Sequence, residues 1–143
     1  MNPARSAVGD VLPELTVDIS PTFVVSTALA TRDFQDVHHD RDKAIARGSK
    51  DIFVNILTDT GLVQRYVTDW AGPGARVKGI SIRLGVPAYA YDTIAFSGSV
   101  TAVDGDDLTV SVVGRGKLGD HVVGTVALTL TSPPAWSETR PAK

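Results

Sequence analysis

Asp33 and His38 stand five residues apart in one polar run, DFQDVHHD at positions 33–40. A carboxylate and an imidazole that share one water can take a proton from it and supply a proton elsewhere near neutral pH. That is what adding water to a carbon–carbon double bond conjugated to a thioester requires. One group deprotonates the water, and another supplies a proton to the α-carbon. Taken alone, an Asp-rich loop containing histidine is better explained as solvated surface. His39 beside His38 could suggest half of a metal site. Adjacent loop side chains tend to diverge, however, and no third ligand stands at a metal spacing, so no metal is expected. Asp40 either braces the loop or is simply solvated.

The loop has to be held by its neighbours. Ser20-Pro21-Thr22 reads as a helix start, with serine capping and proline at the first helical position, opening a short helix over about 22–31. A helical turn over about 42–46, closed by Gly48, follows the loop. The strongest helical pattern runs from about Ser49 to Trp70, where Ile52, Phe53, Ile56, Leu57, Thr60, Val63, Val67 and Trp70 recur at spacings of three and four. Ser49 is the expected cap, and Ala71-Gly72-Pro73-Gly74 the stop. Such a helix is about 30 Å long, and its broad apolar stripe predicts that a sheet wraps it.

A short strand precedes the first helix, and four stretches of period two follow the long one. They centre on Ile80–Leu84, Thr93–Val103, Leu108–Val112 and Val122–Leu130, with a turn over 104–107 and a loop containing Gly116 and Gly119. This pattern predicts an antiparallel meander with one buried face, hence an α+β fold with a strongly bent sheet around a central helix. The single domain is expected over 8–131. The segment 132–143 has three prolines and no periodicity, so it reads as a loose tail.

Bulk properties exclude several classes. A chain of 143 residues, 43% hydrophobic and 21% charged with a net charge of −2, is one ordinary globular domain with no basic face for nucleic acid and no polybasic strip for a membrane. Without cysteine there is no disulfide, thiolate metal site or cysteine nucleophile. No secretory signal or long apolar span is visible, so a cytoplasmic location is expected.

The wider pattern resembles a known family. The run at 33–40, then Ala44, Gly48 and the long helix, is similar to the D-x-N-P-x-H-x-D…A…G signature of MaoC-like, R-specific enoyl-CoA hydratases. FVNILT at 53–58 and GLVQRYVTDWAG at 61–72 resemble that family's central helix. RLGVPAYAYD at 83–92 resembles its R-F-x-x-P-V-x-x-G-D element. The resemblance implies the hotdog fold, a curved antiparallel sheet wrapped around the central helix. It also implies Asp33 and His38 as the catalytic pair and a backbone N–H of Asn55 or Ile56 as the donor that stabilises the developing enolate. Coenzyme A enters as part of the substrate, and no separate cofactor is implied.

Longer stretches, 26–43 and 51–73, resemble the small MaoC-like subunits of actinobacterial steroid side-chain degradation. This implies a steroid enoyl-CoA substrate, a role in sterol catabolism and a second MaoC-like chain, in some cases fused to a DUF35 domain. A partner is also expected on physical grounds, because a single domain of this kind leaves exposed sheet edges.

Four positions depart from the family pattern. Gln35 and Asp36 stand for its Asn and Pro, Asn55 for a Gly at the helix, and Tyr91 for the Gly before Asp92. They spare the proton-transfer pair but alter the pocket, where Gln35, Asn55 and Ile56 are expected to meet substrate. Two rival readings remain. A thioesterase would use Asp59 on the central helix, and a non-catalytic subunit would only support its partner. Lys78 and Arg83 either touch CoA phosphates or are solvated, and His121 at a strand start reads as structural.

Overall fold

The computed structural model describes residues 6–130; the tail expected over 132–143, and Thr131 before it, lie outside the described residues. Five strands, β1 (Val11–Ile19), β2 (Ala75–Leu84), β3 (Asp92–Asp104), β4 (Asp107–Gly116) and β5 (Gly119–Leu130), form one antiparallel sheet in the order β1-β3-β4-β5-β2. Three helices, α1 (Pro21–Ala30), α2 (Arg41–Ala46) and α3 (Ile56–Ala71), lie between β1 and β2, with a 3-10 turn over Asp36–His38 before α2. This is the α+β layout expected, with the sheet curved about α3.

The first helix begins at the cap the sequence predicts, and the second has a cap of its own, Asp40. Ser20 Oγ accepts the Phe23 N–H at 3.0 Å and opens α1, and Asp40 Oδ1 accepts the Lys43 N–H at 3.1 Å and opens α2. Asp40 therefore does brace the loop, by capping the helix that follows it.

Two expectations are corrected. The long helix begins at Ile56, not near Ser49. Residues 52–54 are extended instead. The Val54 N–H donates to the Ala88 carbonyl, the Ala90 N–H to Ile52, and the Phe53 N–H to the Val37 carbonyl. Apolar residues at 52, 53, 56 and 57 imitate a helical stripe, but backbone pairing with the 88–90 segment claims the first two positions. The sheet is also not a simple four-strand meander. β3, β4 and β5 are consecutive neighbours, turning at Gly105-Asp106 and Lys117-Leu118, whereas β2 pairs with β5 and β1 takes the place beside β3. Alternation specifies which face of a strand is buried and is silent on which strand lies beside it.

The core lies between the sheet and α3. Ile94, Phe96, Val100, Val110, Val112, Val122, Val126 and Leu128 fill the concave face and meet Leu62, Val63, Tyr66 and Val67 of the helix. At Gly98 an added Cβ would stand 3.1 Å from the Tyr66 ring and 2.6 Å from the Ser111 carbonyl, so the bare backbone lets α3 settle closely onto β3. The sheet covers only one side of α3. Ile56, Leu57, Gln64 and Arg65 on its other side are exposed in the single chain.

Candidate active site

α1 ends in a turn that delivers Asp33 to the site. The Asp33 N–H returns to the Ala28 carbonyl at 2.9 Å and the Arg32 N–H to Leu29 at 3.0 Å, with Arg32 at φ 57°. This double return bond is the Schellman arrangement, and it fixes the direction in which the chain leaves the helix. The 3-10 turn then brings His38 back towards Asp33.

His38 Nε2 lies 3.4 Å from Asp33 Oδ2, and His38 Nδ1 lies 2.7 Å from the Phe53 carbonyl. A carbonyl only accepts, so Nδ1 carries the proton, and in the neutral ring Nε2 presents its lone pair towards Asp33. Two acceptors thus face one another across a gap that a donor, such as water, can bridge. The Phe53 ring packs edge-on against the imidazole, with centroids 4.8 Å apart. His38 is buried, while the Asp33 side chain keeps about a fifth of its surface open.

Asn55 is the N-cap of α3, and its amide touches both sides of the site. Its Oδ1 accepts from the Thr58 N–H at 3.3 Å and from the Thr58 hydroxyl. Its Nδ2 donates to Thr31 Oγ1 at 2.8 Å and to Asp33 Oδ2 at 3.2 Å. Gln35 contributes differently. Its backbone N–H donates to Asp33 Oδ1 at 3.3 Å, while the residue is exposed. The Ile56 and Leu57 N–H groups belong to the first helical turn, where no intrahelical acceptor exists, and point out of the helix end beside Asn55. Phe34, next to Asp33 in the chain, and Ile56 and Leu57, next to Asn55, are each at least half exposed, as is Leu29 on α1.

The adjacent histidines do diverge. His39 Nε2 lies 2.5 Å from the Asp33 carbonyl, on the opposite side from the His38 contact with Phe53. No three His, Cys, Asp or Glu side chains converge on a common point among the described residues. Lys78 pairs with Asp107 at 3.5 Å, and Arg83 is exposed on the edge strand β2.

Asp59 does not face this site. It is 1% exposed, and its Oδ1 meets His121 Nε2 at 2.8 Å, while His121 Nδ1 donates to the Val86 carbonyl at 2.7 Å. Burial pushes the Asp59 carboxyl above its ordinary range, and the imidazole offsets this only in part. Burial lowers His121, but the Asp59 hydrogen bond and charge, the Val86 carbonyl and the Asp92 charge outweigh it, leaving the imidazole above its ordinary value. His121 is thus structural, as its position at a strand start suggested, and its partner is the carboxylate the thioesterase reading would have used.

Sequence reasoning missed Phe53 and Thr58 as supports of the pair, and the side chain of Asn55 as a cap. Asn55 followed three residues later by Thr58 carried that signal. The apolar spacing of 52–57, which extended the helix backwards, concealed it.

No family model matches the chain. It is 73% identical over 125 residues to the 3-oxo-4,17-pregnadiene-20-carboxyl-CoA hydratase beta subunit of Mycobacterium tuberculosis, covering 87% of this chain and 97% of that protein. It superposes with a TM-score of 0.86 on a chain of the ChsH1-ChsH2 complex from M. tuberculosis, again at 73% identity, covering 87% of this chain and 98% of the other. The (R)-hydratase from A. caviae involved in PHA biosynthesis shares the fold at a TM-score of 0.81 and 20% identity, over 88% and 98% of the two chains. With its identity to the beta subunit sustained over nearly that protein's whole length, the chain belongs to this family of hydratase subunits, and its fold is the hotdog fold that a solved MaoC-like dehydratase shares at a TM-score of 0.81.

Proposed function

We propose that this chain is the catalytic subunit of an enoyl-CoA hydratase, in which Asp33 and His38 add water across a double bond conjugated to the thioester. The observation that carries the reading is the pair itself: Asp33 Oδ2 and His38 Nε2 at 3.4 Å, with His38 Nδ1 held by Phe53. A water seated to one side of the pair, within hydrogen-bond reach of both atoms, donates one hydrogen to each acceptor. As its oxygen bonds to the β-carbon, its proton passes to His38 Nε2, and the π electrons move towards the thioester as an enolate. The first-turn N–H groups of α3 at Ile56 and Leu57, and that of Asn55, stabilise the oxyanion. The imidazolium, balanced by the Asp33 carboxylate, then gives its proton to the α-carbon. Both side chains end as they began, so the cycle needs no cofactor beyond the coenzyme A carried by the substrate.

The substrate is a steroid CoA ester. The family relative acts on a 4,17-pregnadiene-20-carboxyl-CoA, in which carbon 17 is the β-carbon and carbon 20 the α-carbon, so hydration places the hydroxyl on carbon 17. The apolar rim of Phe34, Leu29, Ile56 and Leu57 suits a rigid, greasy acyl group. The same exposed rim supports completion of the site by a second hotdog chain, and the similar chain of known structure occurs in a complex, ChsH1-ChsH2; a MaoC/DUF35 fusion is the form of partner we favour. A CoA substrate fits a cytoplasmic enzyme. No helix among the described residues is long and apolar enough to cross a membrane.

The test is water addition to the 17-ene CoA ester by the chain co-produced with its partner. Asp33→Ala and His38→Ala should each lower kcat by about 100-fold or more while leaving the complex assembled. Full turnover in both variants would assign the chain a supporting role only. Asp59 offers thioester hydrolysis little, since its carboxylate is buried against His121.

A further inference from the structure

We propose that the Asn55 side chain is a positioning residue for the catalytic carboxylate, binding Asp33 to the start of α3 so that its Oδ2 stays aimed at His38 and the shared water. The inference rests on the hydratase reading of Asp33.

The amide orientation follows from its partners. The Thr58 N–H and hydroxyl, both donors, face Oδ1, while Thr31 Oγ1 and Asp33 Oδ2 face Nδ2. Thr31 Oγ1 accepts from Asn55 because its own hydrogen goes to the Thr27 carbonyl at 2.8 Å. Both amide hydrogens therefore have acceptors, and reversing the group would set oxygen against oxygen and nitrogen against nitrogen. Asn55 is 3% exposed, so water does not compete for these bonds. The result is a rigid bridge from the last turn of α1, through one amide, to the first turn of α3.

Asp33 needs such a bridge. Among the described residues its other oxygen has only the backbone N–H of Gln35, at 3.3 Å, and no cationic side chain pairs with it besides His38 when protonated. Without the amide, the carboxylate can rotate about its side-chain torsions towards the open side of the loop. The distance to His38 Nε2 would then vary, and so would the place of the water. A misplacement of about 1 Å at a reacting group can cost about 100-fold in rate.

Capping and positioning can be separated, because serine and aspartate cap helices as well as asparagine. Asn55→Ser keeps an acceptor for the Thr58 N–H but loses the donor to Asp33. Asn55→Asp keeps the shape and the cap but sets a second carboxylate oxygen against Asp33 Oδ2. Both are assayed as the assembled complex, with Asp33→Ala alongside. The expected result for Asn55→Ser is a fall in kcat of about 10- to 100-fold, with KM within about threefold and Tm unchanged. Asn55→Asp should fall further. Thr31→Val, which leaves Asn55 in place and removes the far anchor of its amide together with the hydroxyl's bond to the Thr27 carbonyl, should lower kcat by a smaller factor. It decides the matter if neither Asn55 variant folds. Turnover of the folded variants within twofold of the wild type, or a loss confined to KM, overturns the proposal. If Asp33→Ala itself stays active, the hydratase reading fails; if only the Asn55 and Thr31 variants stay active, that reading stands and the positioning role falls.

Discussion

The two nitrogens of His38 do different work, one tied to the Phe53 carbonyl and one presented to Asp33, so the ring cannot turn without leaving a buried polar group unpaired. The second His–Asp pair in the chain shows what the same residue types do when no opening reaches them. Asp59 and His121 are both nearly inaccessible and brace α3 against the start of β5 and residue Val86. Replacing His121 with glutamine leaves a buried carboxylate without its cation and should cost about 3–5 kcal/mol in equilibrium unfolding. The pair also sets a pH dependence. Both groups hold their protons more tightly in the folded than in the unfolded chain, so the stability they add is full below their unfolded values and is lost as pH rises through the folded ones. The wild type should therefore lose Tm as pH is raised above about 6.5, the ordinary histidine value, and Asp59→Asn should flatten that decline. A Tm that climbs from pH 6.5 to 9 would contradict it.

At the scale of elements, the loop carrying the site is held by the ends of its neighbours more than by its own bonds. α1 ends at Arg32 in the left-handed region, and the crossover into β3 passes through Tyr91 at φ 72°. A bulky side chain at such an angle is strained, by about 1–2 kcal/mol. The Tyr91 N–H nevertheless bonds the Ile19 carbonyl, at 2.6 Å, which locks the turn in place. Tyr91→Gly should raise the unfolding free energy by about 1 kcal/mol, once the extra freedom of glycine in the unfolded chain is set against the relieved strain. Chemical denaturation of the wild type and the variant measures it. The angle also explains in physical terms why a glycine is usual at this place in the family pattern. The start of α3 teaches the converse lesson. Asn55 carried a capping signal, yet the true boundary depended on Phe53 pairing with Tyr89 across 36 residues of chain, which no local pattern records.

The whole molecule presents two sheet edges, and they are unequal. Each edge strand carries a register shift, between Leu12 and Leu15 in β1 and between Val77 and Gly79 in β2, but only β1 contains a proline, Pro13, which discourages further pairing. β2 has no proline, and among the described residues no strand lies beyond it. A partner hotdog chain that extends the sheet should therefore add at β2. Hydrogen exchange on the chain alone and in the complex tests this. β2 amides should slow by about tenfold or more on assembly while those of β1 change little, and the reverse would move the interface to β1. The isolated chain, its rim of Phe34, Ile56 and Leu57 uncovered, should show less than about a tenth of the turnover of the complex.

The sequence by itself determined the residue types proposed for the chemistry and the faces that are buried. The spacing of Asp33 and His38, the caps Ser20 and Asp40, and the alternation of β3, β4 and β5 are local, because short-range bonds and side-chain periodicity decide them. Only the tertiary structure decided that β2 lies beside β5, that residues 52–54 are extended, that Asp59 belongs to His121, and that the Asn55 amide reaches Asp33. Each of these is a contact between residues far apart in the chain. Its partner is chosen by which groups must find hydrogen bonds once water is excluded, and that choice exists only when the core has closed.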